Sequence, residues 1–397
     1  MEEQKEWGKE VFSLLSWFKA EKVRNAKVLV VGAGALGNEV LKNLALFGVG
    51  NIFIVDFDTI DYSNLTRSVL FRETDADQGK SKAEIAALRL REINPTINVQ
   101  FLVGNLATDV GLGVYRKMDV IIGGLDSELS RLQLNRICWR AGKPWVDGGI
   151  FDMDGNAKVF VPGKNCYECE LPEVSKIEII KKYPCGGFAR KNEKAGRIPT
   201  TPVIASIIGA IQAQEAMKLI HKEELEQGVF TSLCGSWFHY NGHHLKAELY
   251  VSDIYDDACG SHEYWDPVKK FPMLSADSPL KDVIEMIKRD LKVEKVIINL
   301  RNDKFVDKII TRSDNIEYNI MLPESRIPDY IEKHADLFQR LQRDLDPVRI
   351  ENLDDQFPYP EMTLKQIGIP YYDVLQITTE KGYYYTELSA DENRFSI

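Results

Sequence analysis

A glycine-rich turn near the amino terminus constrains the fold of this chain more than any other feature. The stretch "AKVLVVGAGALGNEVLKNL" contains an apolar strand, the pattern G-x-G-x-x-G at Gly32, Gly34 and Gly37, and the start of a helix. Glycines let the backbone approach a phosphate, and a helix amino terminus favours its negative charge. Asp56 ends the next apolar strand, 19 residues after Gly37, where an acidic residue can bind ribose hydroxyls. The pattern therefore predicts a nucleotide-binding unit.

Strands and helices alternate through the rest of the first 265 residues. "NVQFLVGNL" and "DVIIGGLD" are typical of buried strands, and "SKAEIAALRLREINP" is typical of a helix. This alternation predicts an α/β fold with a doubly wound, Rossmann-like parallel sheet. "KPWVDGGIFDMDGNAKVFVPG" changes to an antiparallel rhythm, and we expect its turn at Asp154-Gly155. Residues 1–25 have the pattern of a helical arm.

A segment rich in proline and polar residues, 263–278, separates two parts of the chain. We place the boundary within it, which gives domains at 1–265 and 266–397. Beyond it, "SPLKDVIEMIKRDL" predicts a helix, while "VEKVIINLRND" and "GYYYTEL" predict strands, so we expect a small α+β domain. A charged insertion, "PESRIPDYIEKHADLFQRLQRDLDP", interrupts this domain, and we expect the insertion to be helical.

Composition narrows the classes of function. The 397 residues carry a formal net charge of -10, which argues against nucleic acid as the main partner, since that role needs clustered basic residues. We find no secretory signal and no apolar run of about 18 residues, so we expect a cytoplasmic protein without a membrane span. In a reducing compartment the six cysteines would serve packing, metal binding or catalysis rather than disulfides.

A second group of polar residues favours a triphosphate over NAD as the ligand of the glycine turn. Basic side chains neutralise β- and γ-phosphates and a carboxylate can hold Mg²⁺, whereas a dinucleotide needs no such set. The residues are Asp58, Asn64 and Arg67 just past Asp56, Lys80 and Lys82 at a helix start, and Asp126 with Arg131 after a later strand. Together they predict an ATP site.

The order of these motifs resembles the ThiF/MoeB and ubiquitin-activating superfamily. The chain contains G-x-G-x-x-G, D-x-D-x-I-x-x-S-N-L-x-R, G-x-x-K and L-D in that order. The phrases "KNLALFGVGNI", "DTIDYSNL", "GLDS" and "GNAKVFVPGKNCYEC" are most similar to the catalytic subunits of activating enzymes for ubiquitin-like modifiers. The resemblance covers roughly residues 20–265.

This resemblance implies adenylation of the C-terminal glycine carboxylate of a ubiquitin-fold protein, and it implies a homodimer. Many relatives carry R-Y-x-R-Q in the amino-terminal arm and give an arginine to the partner's ATP site. This arm has no arginine before Arg24, so either another basic residue serves or the ATP site lies within one subunit. The implied roles are Asp56 on the ribose, Asn64, Arg67 and Lys82 on the phosphates, Lys80 at a position that is basic in relatives, and Asp126 on Mg²⁺.

The spacing of cysteine and histidine predicts a structural zinc site. Cys166 and Cys169 form a C-x-x-C pair, and Cys259 with His262 could complete a tetrahedral Cys3His set. Four protein ligands leave no open position, so the role would be structural. The family usually has a second C-x-x-C, so His262 is a substitution. The alternatives are Cys234 with His239 as the second pair, or a C-x-x-C in the core without metal.

Cys185 is the cysteine with the clearest signs of reactivity. Cys138 and Cys234 lie in apolar elements and are interpreted as packing residues, whereas Cys185 follows Cys169 by 16 residues in a loop at about 170–200. The resemblance implies that Cys185 is the thioester nucleophile. Relatives with sulfur chemistry also carry a cysteine here, so a persulfide stays open. Gly186 and Gly187 would let a partner approach the backbone. A thiolate would be favoured by the basic residues of the loop, Lys181, Lys182, Arg190 and Lys191.

The carboxyl-terminal domain favours one member of this superfamily over the others. "SPLKDVIEMIKRDL" and "MTLKQIGIPYYDVLQI" resemble the ubiquitin-fold domain that recruits a conjugating enzyme. We therefore interpret the chain as an activating enzyme for a ubiquitin-like modifier, with ATP, Mg²⁺ and structural Zn²⁺, and with Arg67, Lys82, Asp126 and Cys185 as catalytic residues. The alternatives are a sulfur-carrier adenylyltransferase (thiamine, molybdopterin or tRNA thiolation) and a non-catalytic scaffold.

Overall fold

The computed structural model describes residues 7–176, 199–252, 254–338 and 345–396. Eight strands form its largest sheet: β1 (Lys27–Val31), β2 (Asn51–Asp56), β3 (Asn98–Val103), β4 (Val120–Gly123), β5 (Trp145–Phe151), β6 (Asp154–Phe160), β7 (Ser236–Asn241) and β8 (Lys246–Val251). The helices around it are α1 (Lys9–Phe12), α2 (Ala20–Asn25), α3 (Ala35–Phe47), α4 (Glu73–Asp77), α5 (Lys82–Ile93), α6 (Leu112–Lys117), α7 (Glu128–Ala141), α8 (Tyr167–Glu170), α9 (Pro202–Ile220) and α10 (Lys222–Glu226).

The strand order of this sheet is β3-β2-β1-β4-β5-β6-β7-β8. The first five of these strands are parallel, and β1 pairs with β2 on one side and with β4 on the other. The remaining pairs, from β5 to β8, are antiparallel. The predicted doubly wound α/β fold is therefore confirmed, with the change of winding direction between β1 and β4.

Both faces of the parallel part are covered. Helices α3, α5 and α9 pack on one face, and α6 and α7 pack on the other. Strands β1 and β4 therefore consist of continuous apolar runs, "KVLVV" and "VIIG", rather than an alternation of apolar and polar residues. Alternate residues of β1 enter opposite core clusters, with Val28 and Val30 in one and Leu29 and Val31 in the other.

The hairpin turn between β5 and β6 is not where we expected it. Phe151 pairs with Asp154, so the turn is formed by Asp152 and Met153, and the Asp154-Gly155 dipeptide lies inside β6. Gly155 is required by packing instead, because a Cβ there would lie 2.5 Å from the Ile208 side chain on α9. The dipeptide thus reflects a close helix–sheet approach and not a turn.

Helix α9 is long and apolar enough to cross a membrane by length and composition alone. This is weak evidence, because half of its most apolar window is buried inside the protein. The helix packs against α3, β5 and β6. Ile204 and Ile208 belong to the same core cluster as strand β1.

The carboxyl-terminal part contains two smaller sheets. Their strands are β9 (Val268–Lys270), β10 (Val296–Asn299), β11 (Phe305–Thr311), β12 (Glu317–Pro323), β13 (Leu345–Ile350), β14 (Asn352–Leu353), β15 (Val374–Thr379) and β16 (Gly382–Glu387), and their helices are α11 (Leu280–Leu291), α12 (Ile327–Lys333), α13 (Ala335–Phe338) and α14 (Leu364–Ile367). A five-stranded sheet has the order β14-β10-β15-β16-β9, and a three-stranded sheet has the order β12-β11-β13. The boundary expected at 265/266 lies just before β9.

The charged insertion is only partly helical. Helices α12 and α13 lie within it, but its ends enter strands β12 and β13, which both pair with β11. Tyr318, Ile320 and Leu322 recur at every second position of β12 and pack on a small core that also holds Val306 and Ile327. This short alternation, which is a strand pattern, lies just before the insertion and includes only its first residue, Pro323, at the end of β12.

The two parts of the chain share a core. Tyr372 and Val374 pack in the same apolar cluster as Tyr115 of α6. The backbones also touch, because the Gly113 amide donates to the Tyr372 carbonyl over 2.9 Å. A Cβ at Gly113 would lie 2.4 Å from that carbonyl oxygen, so only glycine allows the approach. The carboxyl-terminal part therefore covers the face of the large sheet that carries α6 and α7.

Candidate active site and metal centre

The three motif glycines lie where the winding of the sheet changes direction. Gly32 follows β1 with a φ of 91°, and a Cβ there would lie 2.4 Å from the Gly124 carbonyl oxygen. A Cβ at Gly37 would lie 1.9 Å from the Gly32 carbonyl oxygen, so Gly37 permits α3 to approach β1. Gly34 precedes α3, and no described atom lies within 4 Å of a Cβ built there. The turn is thus tightly packed at Gly32 and Gly37 and open at Gly34, the position nearest the helix amino terminus.

The carboxylate of Asp56 lies beside this turn at the end of β2. Its Oδ2 accepts a hydrogen bond from the Ala33 amide and its Oδ1 accepts one from the Asp58 amide, both at 2.7 Å. Burial raises the pKa of Asp56, an effect that the nearby Lys82 ammonium opposes. Each oxygen keeps an acceptor site beyond these two amides, which suits a carboxylate that binds ribose hydroxyls.

Two of the predicted phosphate-binding cations lie on the same edge of the sheet. Lys82 is the first residue of α5, and its Nζ lies 2.7 Å from Asp58 Oδ2. Arg67 follows a short 3-10 helix and donates from Nη1 to the Ser63 carbonyl over 2.6 Å. Asp58 lies next to the turn after β1, because its amide and the Ala33 amide both donate to the Asp56 carboxylate. Arg67 lies in the segment between β2 and α4.

Asn64 and Lys80 have local partners. The Asn64 Oδ1 accepts a hydrogen bond from the Asp61 amide at 2.9 Å and so completes a capping box. The Lys80 Nζ lies 3.3 Å from the buried carboxylate of Asp75. A phosphate contact by either side chain would therefore compete with an existing contact, and their role in binding stays a prediction.

Asp126 lies in the loop between β4 and α7. Strand β4 pairs with β1 as far as Gly123, so this loop leaves the same edge of the sheet as the glycine turn. The side chain is exposed and has no hydrogen bond or ion pair within the described ranges. Carboxylates that share Mg²⁺ with substrate phosphates have this exposed, uncommitted character, so the position fits the predicted ligand.

Arg131 has a different role from the phosphate contact that the sequence suggested. Its Nε donates to Asp147 Oδ1 over 3.0 Å, and its Nη2 donates to the carbonyls of Leu125 and Gly148. The guanidinium is therefore committed to the protein. No sequence pattern indicated Asp147, because the residue lies inside the apolar strand β5 and has no motif around it.

Beside the Asp126 loop lies a groove of about 500 Å³ between α7 and the antiparallel strands. Sequence reasoning missed this groove. The only available signal was the presence of Trp237 and His239 at alternate positions of β7, which places both on one face of the sheet. The residues that line it include Glu128, Arg131, Asp147, Asn156, Tyr167, Trp237 and His239. An extended chain of several residues would fit its mixed polar and aromatic lining.

The four predicted zinc ligands come together. The ligand atoms of Cys166, Cys169, Cys259 and His262 all lie within 4.8 Å of one another. His262 Nε2 lies 3.5 Å from Cys169 Sγ. Three sulfurs and one imidazole nitrogen are the donors that tetrahedral zinc prefers, and the closed set leaves a structural role.

The surroundings of this cluster hold the ligands in place. The His262 ring is stacked between Trp139 at 4.1 Å and Tyr255 at 4.5 Å, measured between ring centroids. Asn135 donates from Nδ2 to Cys166 Sγ over 3.2 Å. Such contacts orient ligands before a metal binds. Burial lowers the pKa of His262, so the ring is neutral and able to coordinate.

The rival zinc pair is not brought to the C-x-x-C. Cys234 Sγ lies 3.7 Å from Asn165 Oδ1, and His239 lines the groove. Among the residues that the structure describes, the metal-type cluster contains Cys259 and His262 instead. Cys138 is fully buried on α7, which confirms its interpretation as a packing residue.

Cys185 and the basic residues predicted to activate it fall in 177–198, outside the described residues. The described chain before this segment ends close to the metal cluster, since it leaves from α8 after Cys169. After the segment, Pro199 accepts a hydrogen bond from the Asp152 amide at the β5–β6 turn over 2.7 Å. The described residues on either side of this gap thus lie after the metal-cluster helix α8 and at the hairpin of the groove.

Known proteins match the amino-terminal part of this chain. The model of the ThiF family matches residues 8–249. A SAMP-activating enzyme E1 of Haloferax volcanii is 35% identical over 199 residues, which cover 50% of this chain and 68% of that protein. A sulfur carrier protein adenylyltransferase of Thermus thermophilus is 33% identical over 206 residues, which cover 50% of this chain and 71% of that protein.

A third relative belongs to a eukaryotic modifier system. The NEDD8-activating enzyme E1 catalytic subunit of Caenorhabditis elegans is 43% identical over 166 residues, but the match covers only 38% of either protein. Activating enzymes and sulfur-carrier adenylyltransferases are therefore both represented among the relatives. Because the family model spans more than half of its length, the chain belongs to the ThiF family and is an enzyme of the adenylyltransferase and E1 type.

Proposed function

We propose that this protein uses ATP to adenylate the C-terminal carboxylate of a ubiquitin-like protein. One observation carries the proposal: Asp56, Lys82 and the loop of Asp126 lie at the same edge of the sheet as the glycine turn, and the groove opens beside that loop. This edge, at the change of winding direction, is where doubly wound folds bind nucleotides. The groove gives an extended protein terminus a path to the α-phosphate.

The first step is a substitution at phosphorus. A carboxylate oxygen of the modifier attacks the α-phosphorus of ATP, the bond to the β-phosphate oxygen breaks, and an acyl adenylate and pyrophosphate result. Asp56 would fix the ribose, while Arg67 and Lys82 would stabilise the charge on the phosphates. A magnesium ion held by Asp126 would supply additional charge neutralisation. None of these groups needs to transfer a proton.

We further propose that the acyl group moves to Cys185 as a thioester. The thiolate attacks the acyl carbon and the carbon–oxygen bond to AMP breaks, so AMP leaves. A cysteine of a conjugating enzyme, recruited by residues 266–397, would then take the modifier by thioester exchange. The relatives from Haloferax volcanii and Caenorhabditis elegans, both named as activating enzymes, support this version. A homodimer with a structural zinc ion at Cys166, Cys169, Cys259 and His262 completes the proposal.

The second candidate is a sulfur-carrier adenylyltransferase. The relative from Thermus thermophilus supports it at a similar level of identity. The adenylation step would be the same, and Cys185 would take part in sulfur transfer instead of thioester formation. The two candidates differ only in what becomes of the acyl adenylate.

The experiment combines the protein with Mg-ATP and a ubiquitin-like protein encoded beside its gene. ATP–pyrophosphate exchange tests adenylation, and a thiol-sensitive adduct of the two proteins tests thioester formation. We expect both with the natural chain, and exchange without the adduct with Cys185→Ala. A thiocarboxylate on the modifier would support the sulfur-carrier candidate. Absence of exchange with every ubiquitin-like protein would favour a non-catalytic scaffold and contradict both.

A further inference from the structure

Three hydrogen bonds from one buried arginine tie the Asp126 loop to the groove. From these contacts we infer that Arg131 is a positioning residue, which holds the proposed magnesium carboxylate in a fixed relation to the acyl groove that its own side chain helps to line. The inference rests on the proposed function, because it assigns Arg131 a task within the adenylation site.

The contacts of Arg131 join two separate backbone segments. Arg131 lies in the first two turns of α7. Its Nη2 donates to the Leu125 carbonyl over 2.7 Å and to the Gly148 carbonyl over 3.1 Å. Leu125 precedes Asp126 in the chain, and Gly148 lies between Asp147 and Gly149, two residues of β5 that line the groove. The planar guanidinium can serve both carbonyls and the Asp147 carboxylate together, which a lysine cannot do.

Charge and burial make this connection a firm one. The Arg131 and Asp147 side chains are 15% and 7% exposed, and their Nε–Oδ1 distance is 3.0 Å. Burial lowers the pKa of Arg131, but the carboxylate of Asp147, aided more weakly by Asp126, outweighs that effect and the net pKa is raised. The guanidinium therefore stays charged. If it moved away from Asp147, that buried carboxylate would lose its charged partner.

A second side chain holds the same loop from the opposite face of the sheet. Gln212 of α9 is fully buried and donates from Nε2 to the Gly123 carbonyl over 2.8 Å. A Cβ at Gly148 would lie 2.5 Å from the Gln212 amide, so the two supports meet at β5. Asp126 has no contact of its own among the described residues. Its position is consequently set by the backbone that Gln212 and Arg131 hold.

The test uses Arg131→Lys, which keeps the charge and the Asp147 partner but cannot span three acceptors. The matched control is Arg349→Lys in the carboxyl-terminal part. Arg349 has a similarly buried partner, Glu324 at 2.8 Å, and likewise donates to a backbone carbonyl, that of Pro347. Titration calorimetry measures ATP affinity of the full chain with excess Mg²⁺ and again in EDTA. Thermal melting follows the stability of each variant.

We expect Arg131→Lys to weaken the Mg²⁺-dependent gain in ATP affinity by about 10-fold to 100-fold, the usual effect of removing a group that orients a metal ligand. Affinity in EDTA should stay unchanged, and Arg349→Lys should match the natural chain in both conditions. Equal losses with and without Mg²⁺ would show a general folding role and overturn the inference. So would an unchanged magnesium dependence. Should Arg131→Lys not fold, Arg131→Gln, which can still serve one carbonyl, is measured in the same way.

These outcomes separate the inference from the proposed function. A natural chain that binds Mg-ATP but shows no exchange with any modifier would contradict the proposed adenylation and leave the positioning role to be judged by the variant. A natural chain that shows exchange, with Arg131→Lys unaffected in its use of Mg²⁺, would contradict the positioning role alone. A natural chain that binds no Mg-ATP would refute both.

Discussion

Replacing Asp373 with asparagine isolates the cost of burying one carboxylate where the two parts of the chain meet. Asp373 Oδ1 accepts a hydrogen bond from the Leu112 amide over 2.8 Å, and the residue lies against the cavity beneath Trp265. Burial raises the pKa of Asp373 to about 6 from its ordinary value of 3.8, although its backbone hydrogen bonds oppose the rise. Asparagine keeps the acceptor oxygen and removes the charge.

The sign and size of the effect follow from linkage. Because the folded pKa is raised, the folded state binds the proton more tightly, and stability falls as pH rises from about 4 to about 6. The difference between the raised pKa and the ordinary pKa of Asp373 corresponds to a destabilisation of the folded state of roughly 3 kcal/mol at pH 7.5 and roughly 0.5 kcal/mol at pH 4. Asp373→Asn should therefore stabilise the protein at neutral pH and change little in acid.

Thermal melting at the two pH values is the assay. For 397 residues, an unfolding entropy of about 2 cal/mol/K per residue converts 3 kcal/mol into a rise in Tm of roughly 3–4 °C at pH 7.5. The exposed Asp290 provides the control, and Asp290→Asn should show no such pH-dependent difference. An equal shift for Asp373→Asn at both pH values would refute the reasoning, because the effect would then come from packing and not from charge.

Three further predictions concern the metal cluster, the joint and the nucleotide site. Metal analysis should find one zinc per chain, which His262→Ala should lose and His262→Cys should retain. In thermal melts His262→Ala should also lose at least about 2 kcal/mol of stability. Equal zinc content in all three proteins would contradict the ligand set. Gly113→Ala should destabilise the chain by about 1–3 kcal/mol in the same assay, because the new Cβ would lie 2.4 Å from the Tyr372 carbonyl oxygen; an unchanged Tm would mean that the joint yields easily. Lys82→Met should reduce ATP–pyrophosphate exchange about 100-fold, the usual cost of losing one charge-stabilising donor, and a rate near that of the natural chain would remove Lys82 from the site.

The sequence allowed the parallel half of the large sheet to be predicted because its local signals agree with its tertiary contacts. Strand β1, the turn at Gly32 and the start of α3 each carry a residue pattern that only one local structure satisfies. The metal cluster was equally accessible to prediction, since cysteine pairs have few uses in a chain that is not expected to form disulfides. The two ligand pairs are separated by the 90 positions from Cys169 to Cys259, and the structure selects Cys259 with His262 over the alternative of Cys234 with His239.

Other features depend on contacts that no local pattern encodes. The Asp154-Gly155 dipeptide is typical of a turn, but Gly155 is needed because the Ile208 side chain, on the distant helix α9, packs against its Cα. Arg131 looks like a phosphate ligand, and only the fold shows that Asp147 and two carbonyls occupy it. The groove escaped prediction because five separate elements line it: α7 and β7 contribute two residues each, β5 and β6 four each, and α8 one. In these cases a residue's role is decided by distant partners.

Helix α7 brings the separate parts of the proposed mechanism into one rigid element. Its first turns carry Arg131, which holds the Asp126 loop, and its middle carries Asn135 and Trp139, which contact the metal ligands. Near its end, Arg140 binds Glu263, immediately after His262, and lies over the ring of Trp265. A 14-residue helix spans only about 21 Å, so the loop, the metal cluster and the joint are coupled over a short distance. Metal loss should consequently disturb both ends of α7, and weaker Mg-ATP binding in His262→Ala, measured by the same calorimetry, would show that the coupling reaches the nucleotide site.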